Sequence, residues 1–349
     1  MSKEINKTAP ILVTGGTGYL ASWIIKQLLD EGLTVRATVR NKSNSEKSKH
    51  LIKLADDSKG SLELYEADLL DDGAFDKAMT DCELVFHTAS PFQMDNIKNP
   101  QKQLVDPALK GTNNVLNSVN KTETVKRVVL TSSCAAIYQD AKDTVGKNTN
   151  EDTWNTKSSL KNNPYMFSKK IAEETAWKTA KAQNRWDLIT MNPGFILVPS
   201  LTNRVDSFSI NTIISMLNGK NKSGVPDLAF PVVDVRDVAK AQILGAFNPN
   251  AKGRHILSSG KPLFLLEIAQ ILKEEYGNKY LVPTKVVPKP LMYMAAPFMK
   301  IKWSFLRNNL GIRPKLDNSY SQKDLGIKFR PIKKSIIEHA GQIIKSDLI

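Results

Sequence analysis

The chain has 349 residues, 41% hydrophobic and 24% charged, which suits a globular fold of one large α/β domain or a domain with a smaller appendage. Its 49 lysines and arginines against 35 aspartates and glutamates give a net charge of +14. The cations are scattered without a long block of one sign, so nucleic acid is not the expected partner, although the positive field would help gather an anionic cofactor. With only Cys82 and Cys134 there is no disulfide framework, and His50, His87, His255 and His339 show no ligand spacing, so no metal is expected. Met1 to Lys7 lacks an apolar signal core, and no apolar run reaches membrane-spanning length; the nearest, Leu291 to Met299, is short and contains Pro297. These features predict a cytoplasmic protein without a membrane partner.

Ile11-Leu12-Val13 has the look of a buried strand, and Leu20 to Leu29 carries apolar residues at helical spacing. The glycines of Thr14-Gly15-Gly16-Thr17-Gly18-Tyr19-Leu20-Ala21 therefore fall at a strand-to-helix turn. There Gly15 and Gly18 let the backbone approach a pyrophosphate, whose charge the helix N-terminus favours. Thr34 to Val39 supplies a second strand at the distance a βαβ unit needs. It ends at Arg40-Asn41-Lys42, where an NAD enzyme places Asp or Glu to hold both adenine-ribose hydroxyls. A carboxylate there would repel a 2′-phosphate. Arg40 instead offers a planar fork of donors and Lys47 a second charge, so the preferred dinucleotide is NADPH (NADP).

Asn41 to Lys49 is a polar loop leading into a helix that includes His50 to Leu54. Ser61 to Ala67 alternates as a strand ending at Asp68-Leu69, and Gly73 to Met79 suits a short helix. Leu84 to His87 is a buried strand that terminates in Thr88-Ala89-Ser90-Pro91. Lys102 to Val119 is helical, and Val125 to Leu130 is a strand ending at Thr131-Ser132-Ser133. Strands alternating with helices predict a doubly wound parallel α/β sheet of Rossmann type, with ligands at the strand C-terminal edge. Gln139 to Asn163 forms a polar loop over that edge. Pro164 to Lys181 is a helix and Asp187 to Met191 a strand. Beyond Asn192-Pro193-Gly194 the alternation weakens, then Val232 to Phe247 reads as a strand end plus helix returning to the core, and Arg254 to Leu257 as a strand. From Pro262 the chain is largely helical, with prolines as breakers. The expected division is a cofactor-binding domain at 9–192, with 231–258 returning to it, and an interleaved C-terminal substrate lobe made of 193–230 and 259–349.

Tyr165 and Lys169 lie four apart in the helix that starts near Pro164, so they share a face. The Lys169 ammonium is expected to lower the phenol pKa and make the hydroxyl a usable proton donor. Ser133, at a strand end on the same edge, could hydrogen-bond a substrate carbonyl. Asp234 and Asp317-Asn318-Ser319 are expected to cap helices, with Gly326 ending the second one. Met292 to Phe305 fits core or lid packing better than a substrate wall.

Taken together, Thr14-Gly15-x-x-Gly18-x-x-Ala21, His87-Thr88-Ala89-Ser90-Pro91, Thr131-Ser132-Ser133 and Tyr165-x-x-x-Lys169 resemble the extended short-chain dehydrogenase/reductase superfamily. Val35 to Arg40, Arg127 to Ser133 and Asp234 to Ala241 are most similar to its dihydroflavonol reductase, cinnamoyl-CoA reductase and yeast methylglyoxal/aldehyde reductase group. The resemblance is specific from about Ile11 to Asp237 but thin at Leu201 to Phe230 and Gly260 to Arg313, the lobe that would select a substrate.

The resemblance implies that Ser133 polarises a carbonyl, Tyr165 moves the proton, and Lys169 binds the nicotinamide ribose. It implies that Gly15, Thr17, Gly18, Tyr19 and Leu20 cradle the dinucleotide, that Asp68 and Leu69 face the adenine, that Thr88, Ala89 and Ser90 line its middle, and that Pro193 to Ile196 meet the carboxamide. Relatives often carry Asn where this chain has Lys110, before Gly111-Thr112, so Asn113 or Asn114 would have to serve the proton relay. The expected activity is NADPH-dependent reduction of an aldehyde or ketone by a monomer or homodimer. The rivals are a nucleotide-sugar epimerase or dehydratase, for which Cys134-Ala135-Ala136-Ile137 offers no added acid/base pair, and a non-catalytic dinucleotide sensor.

Overall fold

The computed structural model describes residues 3–90, 97–197, 199–202, 208–299 and 301–349. Pro91 of the fourth-strand motif lies outside them. The apolar runs form β1 (Ile11–Thr14), β2 (Thr34–Val39), β3 (Ser61–Glu66), β4 (Leu84–His87), β5 (Arg127–Thr131) and β6 (Asp187–Pro193). Side chains alternate across them. Ile11, Val13, Leu84, Phe86 and Val129 enter one core, while Leu12, Val85, Val128 and Leu130 enter the other. With both faces covered, β1, β4 and β5 are continuous apolar runs, whereas β3, at the edge of the sheet, alternates.

The helices of this half are α1 (Tyr19–Asp30), α2 (Ser45–Asp56), α3 (Asp76–Met79), α4 (Asp106–Lys121) and α5 (Pro164–Lys181). After β6 come β7 (Phe195–Leu197), α6 (Phe208–Leu217), β8 (Ala229–Phe230), β9 (Val232–Asp234), α7 (Val235–Phe247), β10 (Gly253–Leu257), β11 (Leu263–Phe264) and α8 (Leu265–Tyr276). The chain ends in α9 (Lys289–Ala295), α10 (Trp303–Asn309), α11 (Ser319–Leu325) and α12 (Ile332–Lys345).

Seven strands form one parallel sheet in the order β10-β6-β5-β4-β1-β2-β3. The order reverses between β1 and β4, where Thr14 lies opposite His87. In open α/β sheets this reversal opens a crevice for a ligand. β7 pairs with β9, and β8 with β11, outside the main sheet. Buried Arg127 fastens the far side of the sheet. Its Nε and Nη2 donate to the Asp187 carboxylate at 2.8 and 2.9 Å, and its Nη1 donates to the carbonyls of Gly245, Ala246 and Asn248 at the end of α7.

One sequence expectation is corrected. The loop expected to run to Lys49 ends at Asn44, whose side chain accepts the Lys47 N–H and starts α2 at Ser45. The helix expected over Lys102 to Val119 is present, its first turn over Gln101–Val105 wider than an α-helical turn and α4 continuing from Asp106 with proline in its first turn. Asp234 caps α7 as expected, accepting the Arg236 N–H at 2.7 Å, and Gly326 ends α11 in the left-handed conformation; at the start of α11 the N-cap residue Asn318 makes no side-chain cap, and Asp317 before it accepts the Ser319 N–H at 2.9 Å.

Candidate active site

Thr14 ties the two strands of the reversal together. Its Oγ1 accepts the N–H groups of Thr88 and Ala89, each at 3.1 Å, and lies 3.0 Å from His87 Nδ1. A hydroxyl has one hydrogen, so Thr14 donates it to Nδ1 and His87 carries its own proton on Nε2. Burial pushes His87 down to about 4, with the nearby Lys169 charge adding to the effect, so the ring is neutral. The strand ends are thus locked, and Gly15 turns directly over Ala89. Gly15 has φ +67, and a Cβ there would sit 3.0 Å from the Ala89 Cβ. Only glycine fits this turn. Gly18 then begins α1 with no side-chain cap, followed by half-buried Tyr19 and buried Leu20. Thr17 completes the turn.

The parallel register carries the other residues to the same edge. Arg40 follows β2 and Lys47 lies in the first turn of α2, both exposed. The intervening loop is fixed by the Asn41 side chain, which accepts the Ser43 N–H at 2.8 Å, and by Glu66, which accepts the Lys42 N–H at 2.9 Å. Asp68 and Leu69 follow β3, with Asp68 accepting the Leu70 N–H at 2.9 Å. Pro193 ends β6, and Ile196 sits half-buried in β7 opposite Val233. Ser133 follows β5, and its Oγ accepts the Ala135 N–H at 3.1 Å.

Asn163 starts α5 from a left-handed backbone (φ 58) that asparagine tolerates, its side chain accepting the Met166 N–H. Tyr165 therefore lies in the first turn of α5, which packs against the Cys134–Ala136 turn that follows Ser133. One turn on, the Lys169 Nζ stands 5.9 Å from the centre of the Tyr165 ring and donates to Ser90 Oγ at 2.7 Å. The electrostatics differ from the expectation. Burial pushes Tyr165 up to about 12 and Lys169 down to about 8. The Lys169 ammonium is directed to Ser90, and desolvation decides the tyrosine, so the phenol is held protonated. Behind Lys169 lies a chamber lined by His87, Ser90, Thr112, Ser132 and Glu173. The asparagines expected to serve a relay do not reach it as lining residues. Asn113 is exposed, and buried Asn114 donates to the Leu69 carbonyl at 2.8 Å.

Sequence reasoning missed the buried pair beneath the site. Glu173, one turn beyond Lys169, accepts from Arg254 Nε at 2.6 Å, Asn192 Nδ2 at 2.7 Å, Thr190 Oγ1 at 3.2 Å and Ser132 Oγ. Arg254 also donates to the carbonyls of Glu151, Thr153 and Ala136 and lies 3.7 Å from the centre of the Trp154 ring. Asn192 Nδ2 also donates to the Ser133 carbonyl at 3.1 Å, which links the pair to the loop of the site. The spacing Tyr165, Lys169, Glu173 was a visible clue, since all three share one helix face.

A doubly wound sheet with a glycine turn at its reversal point and a Tyr–Lys pair beside the next strand ends is the build of the extended short-chain dehydrogenase/reductases. The chain belongs to the NAD dependent epimerase/dehydratase family, which it matches over residues 11–257. It is 39% identical over 331 residues to cinnamoyl-CoA reductase CAD2 of Medicago truncatula, covering 94% of this chain and 93% of the relative. Over 270 residues it is 38% identical to tetraketide alpha-pyrone reductase 2 of Arabidopsis thaliana, covering 76% of this chain and 83% of the relative. Among solved structures it resembles yeast methylglyoxal/isovaleraldehyde reductase Gre2 complexed with NADPH, with 28% identity and a TM-score of 0.79 over 97% of this chain and 99% of the other. The Candida albicans Gre2–NADPH complex is 30% identical, with a TM-score of 0.77 over the same shares.

Proposed function

We propose that the protein is an NADPH-dependent reductase that converts an aldehyde or ketone to the alcohol. The observation that carries this reading is the arrangement on α5, where Tyr165 is kept a neutral phenol and Lys169, one turn on, is held at Ser90 beside the glycine turn. The cradle fits a dinucleotide. Gly15 packs on Ala89 with no room for a side chain, and α1 begins at an uncapped Gly18, as a close pyrophosphate requires. Gly15, Thr17, Gly18, Tyr19 and Leu20 would hold that group, Asp68 and Leu69 the adenine, Thr88 to Ser90 the middle of the cofactor, and Pro193 to Ile196 the carboxamide. Arg40 and Lys47 would face a 2′-phosphate. When bound, NADPH supplies the hydride.

The chain's own residues do the rest. Because Ser133 Oγ accepts from Ala135, its hydrogen is left to donate to the carbonyl oxygen. Tyr165 delivers the proton to that oxygen, and Lys169 stabilises the phenolate left behind. Residues 9–192 with 231–258 form the cofactor domain, and 193–230 with 259–349 the substrate lobe.

Tyr165→Phe tests the reading. With purified protein, NADPH and a panel of simple carbonyl compounds, the substitution should lower kcat by at least about a hundredfold while NADPH affinity stays within about twofold. Full activity in the variant would refute the role of Tyr165. Turnover confined to nucleotide sugars, without net NADPH consumption, would refute the reductase reading itself.

A further inference from the structure

Large apolar side chains stand in water on one face of the small lobe that carries α9 and α10. Leu291, Met294 and Phe298 are 52%, 69% and 89% exposed, and Met299 and Trp303 are also more than half exposed. Leu291 and Met294, three apart on α9, share a face, and Phe298 extends the stripe from the turn that follows the helix. The opposite side of the same segment is already satisfied, since Met292 and Ala296 pack with Leu306 and Leu310 in a separate small core. A segment apolar on both sides, with only one side used by the fold, marks an interaction surface. Trp303 joins the patch through an edge contact with Tyr293, ring centres 6.2 Å apart.

The segment that carries the patch is cationic, with Asp227 close to Lys289 beside Gly311. From Tyr276 to Leu316 the chain has eight lysines and arginines and no aspartate or glutamate. Lys285, Lys289, Lys302 and Arg307 of this segment are exposed.

We propose that this face docks on the surface of an anionic bilayer, the stripe entering the boundary between headgroups and acyl chains and the lysines meeting the lipid charges. Amphipathic segments with Trp, Phe and Leu inside a cationic rim bind membranes in this way. A second copy fits less well, because pairing two such faces brings two net-cationic rims together. No helix among the described residues is long and apolar enough to cross a membrane. Surface docking needs none, so the absence of a spanning run in the sequence does not exclude it. Lys302 donates to the Lys161 carbonyl, four residues ahead of Tyr165, and Asn309 donates to Asp140 at 2.8 Å. Docking would therefore bring the segment from Asp140 to Lys161, which leads into α5, close to the lipid.

Co-sedimentation of the full chain with sucrose-loaded vesicles tests this, comparing phosphatidylcholine alone with phosphatidylcholine containing phosphatidylserine at about one part in three. The chain should partition at least about tenfold more strongly to the anionic vesicles. Phe298→Glu should abolish the binding and Lys285→Glu should weaken it, with melting temperature and reduction of a water-soluble aldehyde unchanged. The proposal is overturned if wild type stays in the supernatant with both vesicles, if it binds both equally, or if Phe298→Glu pellets like wild type. It is also overturned in favour of a second copy if sedimentation velocity shows a dimer that Phe298→Glu converts to monomer. A rise in KM for an apolar carbonyl substrate without vesicles, with lipid binding intact, would assign the face to substrate.

Discussion

Replacing Glu173 by glutamine keeps its volume and removes its charge, and the network around it sets the cost. The carboxylate, an acceptor only, faces donors from Arg254, Asn192, Thr190 and Ser132 in a fully buried position. A carboxamide turns an NH₂ toward some of these donors and leaves the Arg254 charge unpaired in the interior. Losing one partner of a buried ion pair costs about 3–5 kcal/mol. Arg254 keeps three backbone carbonyls and the Trp154 ring, so the lower end, about 3 kcal/mol, is expected. Urea unfolding of Glu173→Gln measures it. Because Asn192 also holds the Ser133 carbonyl, kcat should fall while KM for NADPH changes little. Adding Arg254→Gln should cost no more than about 1 kcal/mol beyond the worse single variant, since the pair acts as a unit. Strictly additive losses, or a Glu173→Gln protein within about 0.5 kcal/mol of wild type, would refute the reasoning.

Two further outcomes follow from the charged and neutral groups of the sheet edge and core. The wild type should prefer NADPH to NADH by at least about tenfold, or about 1.4 kcal/mol, and Arg40→Asp should shrink or reverse the ratio through KM for NADPH. An unchanged ratio would remove Arg40 from the site. Burial pushes both His87 and His339 down to about 4. Each stays neutral in the fold but protonates near 6.5 when unfolded, so stability is fully present above pH 6.5 and is lost as pH falls toward 4, by up to about 3 kcal/mol per group. Urea midpoints between pH 7 and 5 should show the fall, and His339→Leu should make it shallower.

The sheet was legible because its signals are local. Each strand is an apolar run closed by a polar turn, and the glycine turn, Ser133 and the Tyr165–Lys169 pair sit at boundaries that such runs define. The illegible parts depend on contacts across the sequence. Arg254 meets Glu173 from 81 residues away, and in an apolar strand a lone arginine gives no sign of its partner. The start of α2 was misplaced because polar residues without a periodic apolar face resemble loop, whereas the Asn44 cap decides the boundary. The direction of the Tyr165 shift was misjudged for a similar reason. Spacing on a helix gives proximity to Lys169, but burial and the pull of Ser90 on the ammonium come from the tertiary structure.

That reversal makes the pH dependence of reduction diagnostic. Tyr165, pushed up to about 12, stays protonated through the accessible range and cannot itself produce an alkaline limb. Lys169, pushed down to about 8, can. In the proposed mechanism its positive charge stabilises the phenolate formed as the proton leaves, so reduction should be flat below about pH 7 and approach a tenfold loss per pH unit well above 8. Arginine remains charged throughout this range. Lys169→Arg, whatever its residual rate, should therefore lose the alkaline limb, whereas Ser90→Ala should keep it with a displaced midpoint, because Ser90 accepts directly from the ammonium. Stopped-flow rates at saturating NADPH from pH 6 to 10 measure all three. A limb that survives in Lys169→Arg would mean that another group titrates, and a flat wild-type profile to pH 10 would mean that the Lys169 charge is not required for proton delivery.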